Sequence, residues 1–140
     1  MIIKIISAFL CFFEKKIYFY GKFFEAMMTD LTYLQQMTGN DGAMMKEMIE
    51  MFLHQLAEMQ EEFDVLVKNK NWFELSRLAH KIKSSALVMG IEQMVDEMKE
   101  LEQLAKEGKN IEKYPDSIAR CKTMTHSIEA ELNAYLDSYK

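Results

Sequence analysis

Residues 72–90 read WFELSRLAHKIKSSALVMG. Leu75, Leu78, Ala79, Ile82, Ala86 and Met89 recur at intervals of three and four, which puts them on one side of an α-helix. Gly90 follows, the residue type that most readily closes a helix. At about 100° per residue, His80 falls roughly 150° from the centre of this apolar face. It points outward, with Arg77, Lys83 and Ser84 three or four residues away on the same surface and Phe73 and Leu87 a turn further out.

The same period extends in both directions. Upstream, Met45, Met48, Ile49, Phe52, Leu56, Met59, Phe63, Leu66 and Val67 describe one long helix, capped by Asn40 or Asp41 and broken by Lys68-Asn69-Lys70-Asn71. Before it, Thr29 or Asp30 caps a short helix through about Met37 that Gly39 closes. Downstream, Ile91, Met94, Val95, Met98, Leu101, Leu104 and Ala105 mark a further helix that stops at Gly108. In the last, Pro115 suits the first turn, and Ile118, Cys121, Thr125, Ile128, Leu132, Tyr135, Leu136 and Tyr139 share a face. No stretch alternates with period two. The expected fold is all-α: an antiparallel up-down four-helix bundle, with the short additional N-terminal helix covering one end.

At 140 residues the chain suits one domain with one core. A net charge of −5 argues against a nucleic-acid binder, which needs a basic stripe. Cys11 and Cys121 form neither a disulfide framework nor a zinc spacing, which points to a reducing, cytoplasmic setting. Thirteen methionines include Met44, Met45, Met48, Met51 and Met59; thioethers bind soft metals, but flexible core filling is the commoner use. Residues 1–27 differ in character. Their longest uncharged run, Ile5 to Phe13, is nine residues, too short for a bilayer span of about 20. Lys4 and that run suit a signal peptide, but Glu14, Lys15 and Lys16 stand where a cleavage site belongs. This extension reads as an early-assigned start or a loosely attached segment, ahead of a membrane-surface helix, and the domain as 28–140.

There is no Gly-rich phosphate loop, nucleotide fingerprint or metal-ligand pair on one helical face. Any chemistry rests on few groups. Of the three histidines, His54, His80 and His126, all project outward, and periodicity does not choose among them. His80 stands out for its company. Neighbouring cations favour a neutral, nucleophilic imidazole and would stabilise a phosphoryl group, while exposed apolar side chains offer a partner contact.

Leu78-Ala79-His80-Lys81-Ile82-Lys83-Ser84-Ser85, closed by Gly90, resembles the motif of histidine-containing phosphotransfer (HPt) domains. In that family the phosphorylated histidine is followed by Lys at three, a small residue at four, Ser at five and Gly at ten. The opening around Asp30-Leu31 and Gly39-Asn40, the long helix and Asn71-Trp72 are similar too, so the resemblance covers roughly Thr29 to Lys140. Position four is usually Gly and here is Ser84; Lys81 replaces a commonly uncharged residue.

The resemblance implies a phosphorelay intermediate. It would take a phosphoryl group from a receiver-domain aspartyl phosphate and pass it to another response-regulator aspartate. His80 would be the nucleophile and carrier, Lys83 a stabiliser of the phosphoryl group, and Ser84 the residue that sets partner approach. Arg77 adds charge, Phe73, Lys81 and Leu87 are partner contacts, and Ser85 and Gly90 are structural. Such a protein is no enzyme: it needs no ATP, no metal and no cofactor of its own, since the Mg2+ belongs to the receiver. Its partners would be receivers of response regulators or hybrid histidine kinases, and it would act as a monomer. Two other readings stay open: an adaptor that binds receivers without relaying phosphate, and a membrane-associated bundle resting on residues 1–27.

Overall fold

The computed structural model describes residues 27–139; the expectations for residues 1–26 lie outside them. Five α-helices follow in order: α1 (Thr32–Met37), α2 (Gly42–Lys68), α3 (Trp72–Val88), α4 (Glu92–Glu107) and α5 (Tyr114–Asp137). A 3-10 turn, Ile111–Lys113, leads into α5. The ends of the helices follow from local chemistry. The Asp41 carboxylate accepts from the amides of Ala43 and Met44 at the start of α2, and the Asn71 side chain accepts from Glu74 at the start of α3. Gly108 closes α4 in the left-handed conformation at φ 62°.

Three residues join α2 to α3 and three join α3 to α4, so consecutive helices run antiparallel. The principal contacts are between α2 and α3, α3 and α4, α4 and α5, and α5 and α2. That ring is the up-down four-helix bundle. Among the described residues there is no strand. The apolar stripes meet inside: Ile49, Leu56 and Phe63 of α2, Leu75 and Ile82 of α3, Met94, Met98 and Leu101 of α4, and Ile128 and Leu132 of α5 are fully buried.

The short helix α1 covers one end through Leu34, which is also fully buried. Glu131 ties down the approach to it, accepting from the amides of Met28 (2.7 Å) and Thr29 (3.0 Å) and from the Thr29 hydroxyl (2.8 Å). At the other end Tyr114 is buried against the edge of Trp72, ring centroids 5.2 Å apart, and donates to the Leu104 carbonyl at 2.8 Å.

Three apolar assignments need correction. Met44 and Met51 are exposed although their neighbours Met45 and Met59 are buried, because α2 turns them toward solvent. Tyr139 lies beyond the end of α5 and is exposed; its ring sits against Gly42 and its hydroxyl pairs with Tyr135 at 2.8 Å. Cys121 is buried and free, and burial pushes its thiol up to about 12, so it stays protonated and unreactive.

Candidate functional site

His80 occupies the outward face of α3, its side chain 61% exposed. The sequence suggests a surround of cations. The nearest charged group is instead a carboxylate from the neighbouring helix: Glu102 Oε1 lies 3.0 Å from His80 Nδ1. Glu102 is on α4, and its side chain is only 7% exposed. Lys83 Nζ donates to its Oε2 at 2.6 Å, and Lys106 Nζ donates to Oε1 at 2.5 Å. Hydrogen bonds from Lys106 and Lys83, with one from His80, hold the Glu102 carboxyl down at about 2 against the burial that opposes them.

The consequence for the imidazole is chemical. An ionised carboxylate can only accept a hydrogen bond, so Nδ1 carries the proton. In the neutral ring Nε2 then keeps its lone pair. Two ammonium groups against one carboxylate leave the Glu102 cluster with a unit of positive charge on the same face as His80, which favours an incoming phosphoryl group that brings negative charge. Glu102 and Lys106 do not emerge from the sequence reading. A signal was present: Glu102 follows Met98 by four and precedes Ala105 by three, within the arc of α4 that faces the bundle.

The other expected residues are distributed along α3. Arg77 is engaged elsewhere: it pairs with Glu74 at 3.2 Å and its guanidinium sits 6.0 Å from the centre of the Phe73 ring. Lys83 is half-buried against Glu102. The Ser84 hydroxyl donates to the His80 carbonyl at 3.0 Å, turned back onto its own helix and exposed one turn after His80. Ser85 does the same to Lys81 at 3.2 Å. Phe73 and Leu87, 70% and 61% exposed, lie either side of His80 along the helix. Lys81 is exposed on the flank of α3 that meets α2.

Gly90 is required by packing. It adopts φ +64°, and a Cβ there would stand 2.1 Å from the Asp30 carbonyl oxygen. That close approach lets the Asp30 amide donate to the Met89 carbonyl at 3.1 Å, which ties the segment before α1 to the α3–α4 turn. His54 and His126 are also exposed; His54 pairs with Glu58, at 3.6 Å within its own helix. Neither has a buried carboxylate and two lysines beside it.

Among the described residues no group of His, Cys, Asp or Glu is arranged to hold a metal ion, and no helix is long and apolar enough to cross a membrane. Comparison with known proteins then supplies the class. A family model described as "Hpt domain" matches residues 47–136, more than half of the chain, and the match contains His80, Glu102 and Lys106. The chain belongs to the Hpt domain family. No curated protein and no solved structure matched it. Hpt domains are phosphocarriers that work with receiver domains of two-component systems, so this chain has a histidine phosphotransfer role in phosphorelay signalling.

Proposed function

We propose that this Hpt domain is an intermediate that accepts a phosphoryl group on His80 from a receiver aspartyl phosphate and passes it to the aspartate of a second response regulator. The observation that carries the assignment to His80 is the contact of Nδ1 with buried Glu102, 3.0 Å. The Nε2 lone pair attacks phosphorus, the N–P bond forms, and the P–O bond to the partner's aspartate breaks. The aspartate leaves as a carboxylate. The Nδ1 proton stays in place throughout, and Glu102 offsets the positive charge that the phosphorylated ring acquires. Lys83 and Lys106, already beside the ring, turn to the phosphoryl oxygens. In the second half-reaction a different aspartate attacks phosphorus and the N–P bond breaks.

Ser84 sets how closely the partner's active site approaches. Its hydroxyl is satisfied by the helix backbone, so it presents bulk rather than an unpaired polar group. Phe73 and Leu87 give the receiver apolar contacts on either side of His80. Arg77 supplies longer-range charge and anchors the Phe73 ring. In this reading the transfer calls on no nucleotide bound by the chain itself, and the Mg2+ that assists aspartyl-phosphate transfer is the receiver's. We place the protein in the cytoplasm, acting as a monomer without kinase activity.

The test is to mix the purified protein with a phosphorylated receiver domain and follow the label. Transfer to His80 is expected, acid-labile and absent in His80→Gln, with Lys83→Ala slowing it about 10- to 100-fold while the fold is kept. Label that survives acid, or transfer to the His80→Gln variant, contradicts the assignment. Receiver binding without movement of label supports the adaptor reading instead.

A further inference from the structure

Glu102 serves three partners with two oxygens. Oε1 accepts from Lys106 at 2.5 Å and stands 3.0 Å from His80 Nδ1, while Oε2 accepts from Lys83 at 2.6 Å. The three partners are not held alike. A phosphoryl group on Nε2 carries roughly two negative charges and draws ammonium groups away from a single carboxylate. Both lysines reach Glu102 by the end of a long, flexible side chain and are free to follow that charge. The imidazole is not: its side chain is short, and Glu102 is buried in place on α4. The other charged groups of the elements around α3 are engaged elsewhere or lie on another flank. Arg77 pairs with Glu74 on α3 itself. Lys99, one turn before Glu102 on α4, is exposed, and Glu107 accepts from Gln103 and pairs with Lys109. From α2, Glu47, Glu50, His54 and Glu58 line a groove with Lys81 on the flank of α3 that meets α2, where Glu50 pairs with Lys46 and Glu58 with His54. Before α1, the Asp30 carboxylate accepts from the Thr32 amide.

We infer that Glu102 is a positioning residue for the outward half-reaction: as the lysines leave it for the phosphoryl group, it takes the charge of the phosphorylated ring and keeps Nδ1 protonated above neutral pH. The inference rests on the phosphotransfer reading above and adds what makes His80 a donor rather than a store. When an acceptor carboxylate oxygen attacks phosphorus, the N–P bond breaks and its electron pair returns to Nε2. With the proton on Nδ1 the leaving group is a neutral imidazole. Without it the ring has to leave as an imidazolate, a far poorer leaving group. An unassisted imidazolium loses its proton near about pH 6.5. A carboxylate at hydrogen-bonding distance moves that loss upward by about one to three in pH. Charge balance points the same way. With the ring protonated, the two lysines, the carboxylate, the phosphoryl group and the ring are together close to neutral. Loss of the Nδ1 proton leaves them with about one negative charge at the partly buried seam of α3 and α4. Departure of the lysines does not silence the carboxylate. Its value rests at about 2, and a carboxyl at the ordinary value is still ionised above about pH 6.

The experiment loads the full chain at His80 with phosphoramidate, a small donor, and then adds an unphosphorylated receiver domain as acceptor. Outward transfer is followed from about pH 6 to about pH 9 for the wild type and for Glu102→Gln, which keeps an acceptor oxygen for Nδ1 but removes the charge. The receiver's own response to pH is common to both proteins and cancels in their ratio. The variant is expected to be slower than the wild type by less than about threefold at about pH 6 and by at least about tenfold at about pH 8.5. 15N NMR of the loaded ring should find the Nδ1 proton lost at least about one pH unit lower in the variant. Lys106→Met removes a cation that competes for the carboxylate and should move that loss the other way, to higher pH. A rate ratio constant across pH, with the Nδ1 proton lost at the same pH in both proteins, overturns the inference and leaves the phosphotransfer reading standing. A shift to lower pH in Lys106→Met also overturns it. A wild type that neither phosphoramidate nor a phosphorylated receiver labels at His80 overturns both.

Discussion

At the scale of single residues, the chemistry of the site turns on Glu102, which selects the nucleophilic nitrogen of a histidine on another helix. The contact makes a spectroscopic prediction. At pH 8, long-range 1H–15N correlation should find the His80 ring with its proton on Nδ1, whereas Glu102→Ala should relax toward the tautomer mixture of a free imidazole. A ring protonated on Nε2 in the wild type contradicts the mechanism. His80 was legible in the sequence, but through its motif; periodicity put His54 and His126 on outer faces just as well. Glu102 was not legible because a charged residue in an amphipathic helix is ordinarily solvated. Its burial depends on Lys83 of the adjacent helix and Lys106 of its own, a pairing that exists only once α3 and α4 pack. Lys83 was found by the motif, but its resting partner was not.

At the scale of elements, the α3–α4 pair is the working unit. The two helices pack closely, share the Glu102 cluster and turn at Gly90. Gly90→Ala forces a side chain into a left-handed backbone and onto the Asp30 carbonyl. It should cost about 2–4 kcal/mol in chemical denaturation; a loss below 0.5 kcal/mol, within the range of an ordinary surface substitution, contradicts the packing described. Glu102 has its own stability signature. Its value near 2 lies below the ordinary 4.5, so its contribution is complete above about pH 5 and is lost as pH falls toward 2. Glu102→Gln should therefore be less stable by about 1–2 kcal/mol at neutral pH, discounted for the exposure of Lys106, and the difference should shrink on acidification. A difference that grows as pH falls contradicts that sign. The helices themselves were legible, since three- and four-residue spacing and the glycines at 39, 90 and 108 delimit them. The turn residues other than glycine were less so. Lys70 and Asn110 take φ of +52° and +50°, and the 3-10 turn before α5 went unread, because its residues carry no distinctive turn chemistry.

At the scale of the whole molecule, the bundle is a rigid support that presents one face of α3. The core is closed on itself, Cys121 is locked away, and α1 seals one end through Leu34 and the Asp30 contacts. What remains outside is informative. Phe73 and Leu87 flank His80, and Met51 stands exposed on α2. The sequence signalled Phe73 and Leu87 as outward apolar residues. It did not separate Met51 from the buried methionines, because Met44, Met45, Met48 and Met51 fall close enough together that a small rotation of α2 decides which face solvent. The most direct measurement is 31P–15N correlation NMR of the protein after transfer from a phosphorylated receiver. The phosphorus should couple to Nε2 of one histidine, that histidine should be His80, and the signal should vanish in His80→Gln. Coupling to Nδ1, a phosphoryl group on His54 or His126, or an acid-stable phosphate would contradict the account.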